Sequence, residues 1–229
     1  MTEATVTPLP DDSWRDAVAH LASRDKVLGR VIAAMGPCGL KARDGGFTAL
    51  MDIIAAQQVS KYAADSIRKR LRKSFGDPPD VAKVAASRTQ RLRNCGVSGA
   101  KAKYIRGIAR EVVSGRLDFD HPHRQNDADA IERLLALNGI GRWTAEIYLM
   151  FAHGRPDIMP GLDLGLVVAA QHLKRLRKRP DAKRLLKIAE AWRPWRSAAA
   201  LLLWHYRRSM PDWGPKPLKE DIKVGKTAK

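Results

Sequence analysis

Apolar residues recur at helical spacing along almost all of this 229-residue chain, and no segment sustains the two-residue alternation of a half-buried strand. That pattern predicts an all-α fold of about a dozen helices. Asp12 or Ser13 is placed to cap a helix running to residue 22, and Asp25 another running to 35. Phe47, Leu50, Met51, Ile54 and Ala55 share one face of a helix that ends near Gln57-Gln58. Ser60 caps the run to 75, which stops at Gly76-Asp77-Pro78-Pro79. Short helices at 81–86 and 89–94 precede a longer one at 100–114, with Tyr104, Ile105, Ile108, Ala109 and Val112 on one face. Asp127 caps 128–137, a glycine turn leads into 142–152, and runs at 163–176, 182–191 and 195–208 complete the set.

With 45% hydrophobic residues the chain can bury a sizeable core. Its connections are short, which favours one compact body at 1–215 followed by a basic tail, 216–229, expected to be mobile. Lys and Arg number 42 against 24 acids, a formal charge of +18. A protein this basic usually meets a polyanion, and nucleic acid is the commonest. The basic runs Arg68-Lys69-Arg70, Arg72-Lys73, Lys174-Arg175 and Arg177-Lys178-Arg179 fit DNA backbone contacts, or simply solvated helical faces. Cys38 and Cys95 form no CxxC pair, so a four-cysteine zinc or iron–sulfur site is excluded. His121 and His123 lack third and fourth ligands, and no zinc is expected there. No apolar run approaches the roughly 20 residues that span a bilayer. The start, MTEATVTPLP, lacks a signal pattern, so a cytoplasmic protein is expected, with no membrane partner.

Two short elements invite a functional reading. In Leu137-Asn138-Gly139-Ile140-Gly141, paired glycines free the backbone to converge several N–H groups on one point at the start of a helix. Such a nest holds a phosphate without a basic side chain, and carbonyls of the preceding helix can hold a small cation. An ordinary glycine helix stop uses the same residues. Asp163, after Pro160-Gly161-Leu162, opens an apolar helix. It reads as an N-cap, and a cap position favours the ionised carboxylate.

Several ordered stretches carry a family resemblance. LNGIGRWTA (137–145) is similar to the hairpin of the helix–hairpin–helix DNA glycosylase superfamily, and more narrowly to that of the DNA-3-methyladenine glycosylase II family. FTALMDIIAAQQVSKYAADSIRKRL (47–71) resembles its helix, QQ(L/V)S turn and next helix. LRNCGVSGAKAKYIRGIA (92–109) resembles its GxSxxKAxYI segment, MPGLDLGL (159–166) its catalytic-aspartate stretch, and PWRSAAALLLWHY (194–206) its PWRSYAxxxLW helix. Two differences stand out: Asn138 replaces the usual hairpin proline, and the residues before Phe47 are too few for the amino-terminal β domain of the larger form.

The resemblance implies a compact two-lobed fold, with lobes at about 40–120 and at 1–39 plus 121–215 and the active site between them. It implies Asp163 as the catalytic carboxylate, stabilising the oxocarbenium-like sugar as a cationic alkylated base departs. Trp143, Trp204 and Ile147 would line the base pocket. Asn138, Gly139, Ile140, Gly141, Arg142 and Thr144 would form the DNA-binding hairpin. Gln58, with Gln57 and Ser60, would wedge into the gap left by the flipped base. Carbonyls of Leu135, Leu137 and Ile140 would hold a structural Na+ or K+, and no other cofactor is implied. Bifunctional relatives carry a Schiff-base lysine where Trp143 stands, so a monofunctional enzyme on damaged double-stranded DNA is expected, acting as a monomer. The competing readings are a non-catalytic DNA-binding protein and a glycosylase for deaminated or oxidised bases.

Overall fold

The computed structural model describes residues 11–35, 45–119 and 126–209. Among them every regular element is helical: α1 (Asp11–Arg24), α2 (Lys26–Met35), α3 (Gly46–Ala56), α4 (Lys61–Phe75), α5 (Val81–Ala86), α6 (Thr89–Asn94), α7 (Gly99–Val113), α8 (Asp127–Leu135), α9 (Arg142–Ala152), α10 (Leu164–Leu173), α11 (Ala182–Ala189) and α12 (Arg196–Ser209), with a 3-10 turn at Glu190–Trp192. The fold is all-α, as the periodicity predicts. Cys38, His121, His123 and the 216–229 tail lie outside the described residues.

Short polar residues set the helix starts. Ser60, Asp80, Ser98, Asn126, Asp163 and Asp181 each accept a backbone N–H of their own helix's first turn, which satisfies a donor the helix geometry leaves unpaired. The α8 cap is Asn126 rather than Asp127: its Oδ1 accepts the Asp129 N–H at 3.0 Å, and Asp127 becomes the first helical residue. An acid in the first turn is favoured by the helix dipole as well, so adjacent Asn and Asp compete closely for the cap.

The helices pack as two groups. α3 to α7 form one, with α7 lying against α3, α5 and α6. α1, α2 and α10 to α12 form the other; α9 packs on α8 and α3 and reaches the second group where Trp143 bonds Asp163 and Phe151 stacks on Trp204. Leu50, Ile54, Leu71, Phe75, Leu92, Ile105, Leu134, Tyr148, Leu166, Trp192 and Leu202 are among the side chains fully buried in a core that runs through both groups. In the second group one polar knot is buried with them: Asp25, which caps α2 through the Val27 N–H at 3.0 Å, also accepts Trp192 Nε1 at 2.8 Å and pairs with Lys174. Burial opposes ionisation of Asp25, but those donors together hold its carboxyl below the usual range. Trp192 is thus structural, and so is Lys174 in the basic run that follows α10. The α4 run also turns inward: Arg72 clasps Asp52 with two hydrogen bonds of 2.8 and 3.2 Å, and Arg70 donates to the Cys95 carbonyl at 2.8 Å.

Candidate active site

The α8–α9 turn holds Gly139 at φ +87°, a left-handed conformation. A β-carbon there would overlap the Tyr104 ring of α7, and even the Tyr104 Cβ lies 2.8 Å away. Ile140 beside it is buried and anchors the turn, and its N–H donates to the Leu137 carbonyl at 3.1 Å. Gly141 is different. Its φ is −92°, open to any residue, and a β-carbon would meet nothing within 4 Å. As the cap of α9 it supplies no side-chain acceptor, so no cap side chain satisfies the first-turn N–H groups of Arg142, Trp143 and Thr144.

α9 then carries Trp143 toward α10. The Trp143 indole donates to Asp163 Oδ2 at 2.9 Å, the Trp204 indole of α12 donates to Asp163 Oδ1 at 2.9 Å, and the Leu166 N–H donates to Oδ1 at 3.0 Å. Three helices therefore converge on one carboxyl group. Phe151 of α9 stacks on Trp204 with ring centroids 6.0 Å apart, fixing the second indole. Leu162 and Leu164, each 62% exposed, flank Asp163 and mark the open side of the site. Gly165 admits Trp204: a β-carbon at that position would sit 3.0 Å from Asp163 Oδ1 and 3.3 Å from Trp204 Cδ1.

Other expected site residues have different surroundings. Ile147, one turn after Trp143, is 6% exposed and belongs to the core, so it offers no open wall. Thr144 is 3% exposed, and its hydroxyl accepts Gln57 Nε2 at 2.9 Å. Its side chain is spent inside the protein, so what it offers the hairpin is its N–H at the helix start. Arg142 pairs with Glu146 at 3.0 Å, so it is engaged within α9 in this state. Glu146 is buried, its Oε2 lacks a partner, and burial raises its pKa to about 7 against the pull of Arg142 and Arg196.

The side chains of the 57–60 turn divide in the same way. Gln57 points inward to Thr144, and Ser60 accepts the Ala63 N–H at 3.3 Å as the α4 cap. Of the three expected wedge residues, Gln58 alone is both exposed and in a left-handed backbone conformation, φ +53°. A non-glycine residue held there costs energy that the surroundings must supply. Lys101 supplies part of it: its ammonium donates to the carbonyls of Ala55 at 3.2 Å and Gln57 at 2.6 Å, and burial lowers its pKa. Neither Lys101 nor Gly165 stood out as a site residue in the sequence, although Lys101 is the lysine of the GxSxxKAxYI segment.

An all-helical, two-lobed frame with a bare glycine hairpin and a carboxyl held between indoles defines the class of base-excision repair proteins built on a helix–hairpin–helix. Residues 51–194 match the HhH-GPD superfamily base excision DNA repair protein model, and the chain belongs to that family. It is 31% identical over 198 residues to DNA-3-methyladenine glycosylase 1 of Schizosaccharomyces pombe, covering 84% of this chain and 87% of the other. It is 30% identical over 169 residues to DNA-3-methyladenine glycosylase of Bacillus subtilis, covering 69% of this chain and 56% of that protein. Among solved structures, the S. pombe 3-methyladenine DNA glycosylase Mag1 in complex with abasic DNA superposes with a TM-score of 0.76 at 30% identity, over 82% of this chain and 95% of the other. No described helix is long and apolar enough to cross a membrane.

Proposed function

We propose that this protein is a monofunctional DNA glycosylase that hydrolyses the N-glycosidic bond of alkylated bases of the 3-methyladenine and 7-methylguanine type in double-stranded DNA, within the cytoplasm. The observation that carries the reading is the carboxyl of Asp163 fixed by three donors between Trp143 and Trp204. Relatives bearing that activity in their names support the substrate class.

In this reading the bare α9 start binds a DNA phosphate. Gly141 has no structural need to be glycine, and the room it leaves lets a phosphate approach the uncapped N–H groups. Carbonyls of Leu135, Leu137 and Ile140 would hold a structural Na+ or K+. Leu137 O keeps one lone pair after accepting the Ile140 N–H, which fits that use. Gln58 enters the stack as the target base leaves it. The flipped base, carrying a positive charge from alkylation, meets the two indoles, whose faces attract cations.

Cleavage of the C1′–N bond sends its electron pair to the base, which departs neutral, so no strong general acid is required. The oxocarbenium-like sugar left behind is stabilised by the Asp163 carboxylate. A carboxylate offers roughly four acceptor sites. Trp143, Trp204 and Leu166 fill three, which fixes the group without reorganisation and leaves room for the attacking water. Water adds to C1′, its proton passes to Asp163 or to solvent, and the products are a free base and an abasic site. Trp143 offers no amine for a Schiff base, so strand cleavage does not follow.

The test is base-release profiling on duplexes carrying methylated, deaminated and oxidised bases, with strand scission read in parallel. Release of 3-methyladenine or 7-methylguanine without strand cleavage is expected. Release of only neutral oxidised or deaminated bases, DNA binding with no release, or lyase cleavage of the abasic product would each contradict the reading.

A further inference from the structure

We propose that Gln57 and Lys101 are positioning residues that join the 57–60 turn to the start of α9, so that entry of Gln58 into the DNA stack and the grip of the glycine hairpin act as one rigid unit. The inference rests on the proposed glycosylase reading, which places Gln58 as the wedge.

Gln57 and Gln58 are neighbours with opposite orientations. Gln58 is exposed at φ +53°, whereas the Gln57 amide crosses to α9 and donates to the buried Thr144 hydroxyl at 2.9 Å, 87 residues along the chain. Thr144 lies three residues beyond Gly141 in the first turn of α9, next to Trp143, whose indole holds Asp163. From the other side Lys101 clamps the Gln57 carbonyl at 2.6 Å and the Ala55 carbonyl at 3.2 Å, tying the end of α3 to α7. The same α7 carries Tyr104, which packs directly on Gly139. α7 thus supports the turn through Lys101 and the hairpin through Tyr104, while Gln57–Thr144 closes the loop between them. Buried polar pairs are geometrically demanding, because a misplaced partner leaves both groups unsatisfied. A turn held at both its carbonyl and its side chain keeps Gln58 in a conformation that the backbone alone disfavours.

The probe is a duplex with an abasic site flanked by 2-aminopurine, whose fluorescence reports unstacking when a side chain fills the gap. It requires no catalysis. Thr144→Val and Gln57→Met should each reduce the fluorescence change by about fivefold to tenfold, the effect of losing one hydrogen bond. The double variant should be no worse than either single one. Thr144→Ser, which keeps the hydroxyl, should restore the parent signal and the parent thermal midpoint. Lys101→Met should reduce the same signal, and combining Thr144→Val with Gln58→Ala should add nothing to Gln58→Ala. Fluorescence equal to the parent in Thr144→Val and Gln57→Met, additive losses in the double variant, or failure of Thr144→Ser to rescue would overturn the coupling. Base release by the parent enzyme reads the underlying assignment separately: a parent without release refutes the glycosylase reading, and the fluorescence series still decides the coupling.

Discussion

Two turns in this molecule share a backbone plan and part ways in what they leave exposed. Between α6 and α7, Gly96 adopts φ +97° and is followed by the buried Val97 and the cap Ser98. Between α8 and α9, Gly139 adopts φ +87° and is followed by the buried Ile140 and the cap Gly141. The first closes on itself, because Ser98 Oγ accepts the Lys101 N–H at 3.3 Å. The second has no side chain to do so and has open space over its donors. Similar local geometry therefore serves structure in one place, whereas in the other we assign it to a ligand. The cap residue, more than the left-handed glycine, separates the two.

Substituting the glycines tests the shared part and has the largest expected effect on stability. In Gly139→Ala the left-handed strain of about 1–2 kcal/mol adds to a clash with the Tyr104 ring, for a total of about 3 kcal/mol or more. Gly96→Ala meets chiefly the movable end of the Arg70 side chain and should cost about 1–2 kcal/mol. Denaturant midpoints check both. Equal losses would mean that Tyr104 yields freely and the open hairpin is no more tightly built than the closed one.

A pH difference comes next. Glu146 lies on α9 of the open hairpin, with its pKa raised by burial to about 7. Its folded pKa exceeds its unfolded value, so its contribution is fully present below about pH 4.5 and is lost as pH rises toward 7, by a few kcal/mol at most. Relative to Glu146→Gln, the parent should lose thermal stability across that window and run parallel above it. Parallel curves throughout would show that Arg142 compensates the buried charge completely.

The smallest effects test the caps directly. Gly141→Asp places an acceptor and a negative charge over the bare donors. Duplex affinity should fall about tenfold, the worth of one charge-assisted hydrogen bond, with stability unchanged or slightly raised. Ser98→Gly opens the closed turn and should cost only a few tenths of a kcal/mol while leaving duplex affinity unchanged. If the two substitutions weaken DNA binding alike, the hairpins are not functionally distinct.

These contrasts also mark how far the sequence could be read. The bounds of α9 follow from Gly141 and the apolar run to Ala152, and the start of α2 from Asp25, because caps and periodicity are local properties. Ordered motifs single out Asp163, Trp143 and Trp204, which the structure brings together, although a lone acid after Pro-Gly-Leu reads as a cap; Asp163 is a cap as well. The inward turn of Gln57, the Lys101 clamp and the burial of Glu146 were not legible. Each depends on a partner or neighbour brought together by packing, and periodicity identifies the face of a helix but not what lies against it. Arg72 taught the same lesson in reverse: its basic run reads as a DNA-facing or solvated surface until Asp52 appears beside it.

The central claim is that Asp163, held by two indoles and a helix start, performs the chemistry while the hairpin performs the binding. Its most direct test is single-turnover base release from methylated duplex by Asp163→Asn, measured beside affinity for an abasic duplex. The account predicts a rate lowered by about 100-fold or more, the scale of removing one preorganised electrostatic group, with affinity within about threefold of the parent. Release at the parent rate would contradict it.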